Sequence, residues 1–93
     1  VAQSPEAGFA YHKHRQELHG ITVVVTGMSG TTWVGRFHEQ NDEGVVLKDV
    51  GIHDGSAGPL EQWLAQARKF GIRVDERAVL VPANEVVGIE RLA

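Results

Sequence analysis

The chain contains no cysteine, which excludes disulfide staples and thiolate zinc sites and leaves burial of apolar surface to stabilise the fold. Neither sign of charge dominates. Nine Lys and Arg stand against twelve Asp and Glu, a net charge of -3, so no overall basic field favours non-specific DNA binding. Long hydrophobic runs are also missing. The longest apolar stretches, such as Val23 to Val25 and Ala78 to Val81, fall far short of the roughly 20 residues needed to cross a bilayer. No basic start followed by an apolar run marks a secretory leader, and the expectation is a cytoplasmic protein with no membrane partner. Chemistry-bearing motifs are scarce too. Gly27-Met28-Ser29-Gly30 lacks the spacing of a phosphate-binding loop and is not followed by a helix. Ser29, Thr31 and Thr32, with His38 and Asp42 downstream, do not form a nucleophile elbow. The expectation is a non-enzymatic chain without a cofactor.

What is present is an ordinary globular composition. Of 93 residues, 42% are hydrophobic and 23% charged, enough for one packed domain over 1–93 and too few for two. A domain of this size buries only about 60 to 65% of the surface its unfolded chain exposes. With no disulfide available, assembly with further copies is the expected supplement.

Ser4-Pro5-Glu6 reads as a helix start, and Ala7, Tyr11, His14 and Leu18 fall on one face at helical spacing before His19-Gly20. A helix is therefore expected over about 5–19. Ile21 to Thr26 alternates in the period of a strand and is rich in β-branched residues. Strands at Thr32 to Phe37 and Gly44 to Val50 follow across polar turns and make a meander. Three glycines between Gly51 and Gly58 break the pattern. A second helix over about 59–70 then opens on Pro59 and stops at Gly71, with Leu60, Trp63, Leu64, Ala67 and Phe70 as its apolar stripe. Ile72 to Val74 reads as a short strand or an extended lead-in, and Asp75 to Arg77 as a turn. Strands at Ala78 to Val81 and Glu85 to Leu92 flank Pro82-Ala83-Asn84, a corner that suits a proline lacking an amide donor.

Particular residues carry a resemblance beyond this element order. Leu18-His19-Gly20-Ile21-Thr22-Val23, then Gly35 with Asn41-Asp42 and Val45-Val46-Leu47, then Val79 through Ile89, resemble the helix-to-strand junction and two sequence motifs of the Sm-like family. The resemblance covers nearly the whole chain, and it implies a mainly β fold: a small, strongly bent five-stranded barrel of the SH3 type, with an N-terminal helix and the 59–70 helix inserted between strands 3 and 4. It also implies a cyclic homo-oligomer in which the fourth strand of one copy pairs with the fifth of its neighbour, through the region of Val79, Val81, Val87 and Ile89. Such pairing would satisfy two otherwise open sheet edges.

Family members of the RNA-binding kind hold bases near the pore, which places His38, Asn41, Asp42 and Asn84 as candidate RNA-binding residues. The chain departs from that pattern at two points. Gly44 stands where an Asn is expected, and Pro82-Ala83 replaces an Arg-Gly pair, so no guanidinium is offered to a base or phosphate. Two partner classes follow. One is single-stranded RNA in a modified pore-side pocket. The other is a protein recruited by the inserted helix, with Trp63 and Phe70 as anchors, although burial of those aromatics against their own sheet is the favoured reading. The five histidines suggest no metal site. On a helix His12 and His14 would point about 200° apart, and no carboxylate-rich cluster lies beside them.

Overall fold

The computed structural model describes residues 18–55 and 58–92. Within them the chain runs β1 (Thr22–Gly27), β2 (Thr32–Asn41), β3 (Gly44–His53), α1 (Leu60–Phe70), β4 (Glu76–Pro82), a 3-10 turn (Ala83–Glu85) and β5 (Val86–Arg91). The strands form one antiparallel sheet in the order β4-β3-β2-β1-β5. It is an open sheet, and among the described residues no hydrogen-bonded pairing closes it into the expected barrel. The helix expected over about 5–19 lies, up to residue 17, outside the described residues. Leu18 to Gly20 form a turn whose Leu18 side chain is buried in the core.

The alternation in β1 sends Val23 and Val25 inward, where they pack with Leu18, Phe37, Val45, Leu47, Val50 and Val81. Three register shifts bend the sheet around this core. Gly35 on β2 stands opposite Asp49 and Val50 on β3, His38 is an extra residue on β2, and Val87 is an extra residue on β5. Each is a bulge, which kinks its strand and increases the local twist. Gly35 is needed at the first of them, because a Cβ there would sit 2.9 Å from the Lys48 carbonyl oxygen.

The bulges explain why the strands run further than sequence periodicity indicates. An added residue inverts the alternation without ending the ladder, so β2 continues to Asn41 and β3 to His53. Gly51, read from sequence as a break, is an interior residue of β3. Its missing side chain makes room for a second layer: a Cβ at Gly51 would meet the Arg73 carbonyl and Ile72, both at 2.9 Å, and the Trp63 ring at 3.5 Å. Val34, paired with Val24 and Gly51 on the face opposite Val25, is fully buried under this layer.

That layer is α1 and the segment after it. Pro59 precedes the first helical residue, and Gly71, at φ 92°, ends the helix with its amide donating to the Ala67 carbonyl at 3.0 Å. Arg68 Nε donates to the Leu92 carbonyl at 2.7 Å and fastens the helix to the end of β5. No residue of α1 is fully buried. Trp63 and Leu64 are half-buried, while Phe70 at the last turn is 76% exposed. Burial against its own sheet therefore holds in part for Trp63 and not for Phe70. Ile72 to Val74 form no strand, and the expected turn over 75–77 is overtaken by β4, which starts at Glu76. Asp75 explains the difference. Its amide donates to the Val50 carbonyl at 2.7 Å and its carboxylate accepts from the Ile52 amide at 2.8 Å, which draws the chain onto the β3 edge early.

Candidate functional site

Two turns distant in sequence lie side by side. The two-residue connection of β2 to β3, Asp42-Glu43, meets the 3-10 turn that follows β4: Gly44 pairs with Pro82, and the Ala83 amide donates to the Glu43 carbonyl at 2.9 Å. Only glycine suits position 44. Its φ is 150°, and a Cβ there would fall 1.9 Å from the Val81 carbonyl oxygen. Asn41 builds the turn from inside, its Oδ1 accepting from the Glu43 and Gly44 amides at 2.8 and 3.2 Å and its Nδ2 donating to Glu39 at 2.9 Å. Aspartate and asparagine favour such turns because the side chain substitutes for a backbone acceptor. Asn41 is thereby committed to the turn, and Asp42, Glu43 and Asn84 are the exposed polar residues of the pair of loops.

The 3-10 turn is held from its other side by the β1–β2 connection. The Met28 amide donates to the Glu85 carbonyl at 2.8 Å, the Ser29 amide donates to the Glu85 carboxylate at 3.0 Å, and the Ser29 hydroxyl donates to the same oxygen. These Ser29 bonds, the hydroxyl's first, hold the Glu85 carboxyl below its ordinary value. No local pattern in the sequence signals a contact between residues 56 positions apart. The loops thus carry Asp42, Glu43 and Glu85 and no cation, an unfavourable surface for phosphate.

Of the candidate RNA-binding residues, Asn41, Asp42 and Asn84 come to this loop pair. His38 does not join them. It stands at the β2 bulge, exposed, with its ring 5.5 Å from that of His19. Of the candidate interface residues, Val81 is fully buried and belongs to the domain's own core, because its register opposite Val45 turns it inward. Val79 and Ile89 pack half-buried against that core. Val87 is 64% exposed at the β5 bulge, and Leu80 on β4, which periodicity did not single out, is 45% exposed. Trp63 lies against His53, ring centroids 5.1 Å apart, and Phe70 borders a cavity of about 630 Å³ with Val34, Ala67 and Ile72 in its wall. Among the described residues no helix is long and apolar enough to cross a membrane.

No protein-family model matches the chain, and no curated protein matches it either. Solved structures do. A novel Sm-like archaeal protein from Pyrobaculum aerophilum superposes with a TM-score of 0.60 at 17% identity, over 86% of this chain and 49% of that one, so the present chain spans about half its length. The Sm protein of Pyrococcus abyssii, solved in complex with a uridine heptamer, matches at TM-score 0.57 and 17% identity, over 85% of this chain and 93% of that one. A chain of the NatC complex bound to CoA matches at TM-score 0.56 and 20% identity, over 81% and 79%. The domain has an Sm-like fold.

Proposed function

We propose that this Sm-like domain is a non-catalytic assembly module that closes into a cyclic homo-oligomer and acts as a scaffold for a protein partner. One observation carries the reading. The sheet ends in two edge strands, β4 and β5, each with no partner on its outer side among the described residues, and each presents an exposed aliphatic residue, Leu80 and Val87. Unpaired strand edges bearing apolar side chains template pairing with another chain, and an isologous or head-to-tail closure removes the hazard. The β4 edge of one copy pairs with the β5 edge of the next, and Phe70 on α1 remains outward for a partner.

Single-stranded RNA as the ligand is the second reading. It is favoured by the juxtaposition of the Asp42-Glu43 and Ala83–Glu85 turns in a fold that superposes on a uridine-bound Sm protein. Against it stand the carboxylates of those turns. Titration of a labelled uridine heptamer at about 50 and about 200 mM salt separates the two: the scaffold reading expects no saturable binding at either. Binding that weakens steeply with salt, as phosphate contacts require, would establish the RNA reading in its place.

A further inference from the structure

His19 and His38 are 19 positions apart in sequence and are brought together by backbone bonds that the rest of the fold enforces. The Leu18–Gly20 turn closes through the Ile21 amide on the Leu18 carbonyl, at 2.8 Å. It is stitched to β2 by the Gly20 amide on the Phe37 carbonyl, at 2.8 Å, and by the Phe37 amide on the Ile21 carbonyl, at 2.9 Å. His38 follows Phe37 at the extra residue of the β2 bulge, a device that re-aims a side chain. Leu18 and Phe37, the residues preceding each histidine, are both anchored in the core. The two exposed imidazoles are therefore carried on a backbone with little freedom to separate.

Their ring centroids lie 5.5 Å apart with planes tilted by 48°. Two imidazoles bound to one tetrahedral zinc at about 2.0–2.1 Å have centroids about 5 Å apart, since each ring centre lies about 3.2 Å from the ion. The observed pair is already at nearly that separation and is not stacked. We propose that His19 and His38 form a two-imidazole site for a borderline divalent cation of the Zn²⁺ or Ni²⁺ type. Among the described residues no group of three His, Cys, Asp or Glu side chains converges, so within them the pair supplies two ligands and leaves the other coordination positions open to water. Imidazole is a suitable donor for both metals. Bound there, the ion cross-links the turn before β1 to the middle of β2 and rigidifies the point where the chain enters the sheet.

The test is calorimetric titration of the full chain with zinc chloride and, separately, nickel chloride, on the unsubstituted protein and on His19→Gln, His38→Gln and the double substitution His12→Gln/His14→Gln. The expected result is one ion per chain, with affinity reduced at least tenfold by His19→Gln and by His38→Gln individually. Circular dichroism confirms that each variant keeps its sheet; because both side chains are exposed, it is expected to. Retention of the site in the His12→Gln/His14→Gln chain supports the pair as the ligands. Metal binding that is lost in that chain but unchanged in the His19 and His38 variants overturns the proposal, as does the absence of saturable binding to the unsubstituted protein.

Discussion

Replacing Gly44 by alanine strikes the junction on which the loop pair depends. Two costs add at this position. The backbone is held at φ 150°, where an L side chain is strained by about 1–3 kcal/mol. The new Cβ would also lie 1.9 Å from the Val81 carbonyl oxygen, 2.9 Å from its carbon and 3.0 Å from the Ala83 amide nitrogen. All three are backbone atoms of the neighbouring strand and turn, so no rotamer change relieves them, and overpacking of this kind costs roughly another 1–3 kcal/mol. The sum, about 2–6 kcal/mol, is a large share of the ~5–15 kcal/mol by which domains are stable. A domain of this size loses about 4–8 °C per kcal/mol, so thermal denaturation followed by circular dichroism should show a Tm at least about 8 °C lower. Gly30→Ala is the matched comparison: φ is 94° there, yet nothing lies within 4 Å of the added atom, and only the conformational cost of about 1–2 kcal/mol applies. Equal losses in the two variants would refute the close approach of β4 to the β2–β3 turn.

Other perturbations separate neighbouring roles. Glu85 titrates below its ordinary value in the folded state because Ser29 hydrogen-bonds the charged form. A depressed carboxylate stabilises the fold above its unfolded value, near 4.5, and that contribution is lost as pH falls through the lower folded value. Glu85→Gln should therefore be less stable than the unsubstituted chain at pH 7, with the gap closing on acidification; a gap independent of pH would contradict the assigned bonds. Trp63→Ala removes a half-buried ring packed against His53 and Gly51 and should cost about 1–3 kcal/mol. Phe70→Ala, at 76% exposure, should stay within about 0.5 kcal/mol. Urea denaturation of the two variants checks the order, which partner binding should reverse if Phe70 is the anchor.

Much of the meander was legible because Val23, Val25 and their β-branched neighbours alternate with the strand period, and α1 because Pro59, the Leu60–Phe70 stripe and Gly71 bracket it. The corner at Pro82 could be read for the same kind of reason, since a residue without an amide donor belongs at the end of an edge strand. Bulges obscured the rest. A single inserted residue at His38 or Val87 inverts the alternation, so periodicity ends a strand where the hydrogen-bonded ladder continues. Gly51 was misread because a glycine serving close layer packing has the same letter as one serving a turn. At the loop pair, Asn41 closes its turn through local bonds of the kind asparagine favours, but the Ser29–Glu85 tie depends on positions set by tertiary packing. The stripe of α1 was correctly apolar at Trp63 and misleading at Phe70. The helix lies over the sheet at Gly51 through Trp63, while Phe70 on its last turn borders the cavity and stays exposed.

The central claim is assembly through the β4 and β5 edges, and the mass of the purified chain in solution by multi-angle light scattering tests it most directly. A closed ring predicts one discrete species at an integer multiple, greater than two, of the 10.1 kDa chain. Leu80→Lys together with Val87→Lys, exposed positions whose exchange leaves the core intact, should reduce it to a folded monomer. A single species at 10.1 kDa for the unsubstituted chain, or a ring whose mass the double substitution leaves unchanged, would contradict it.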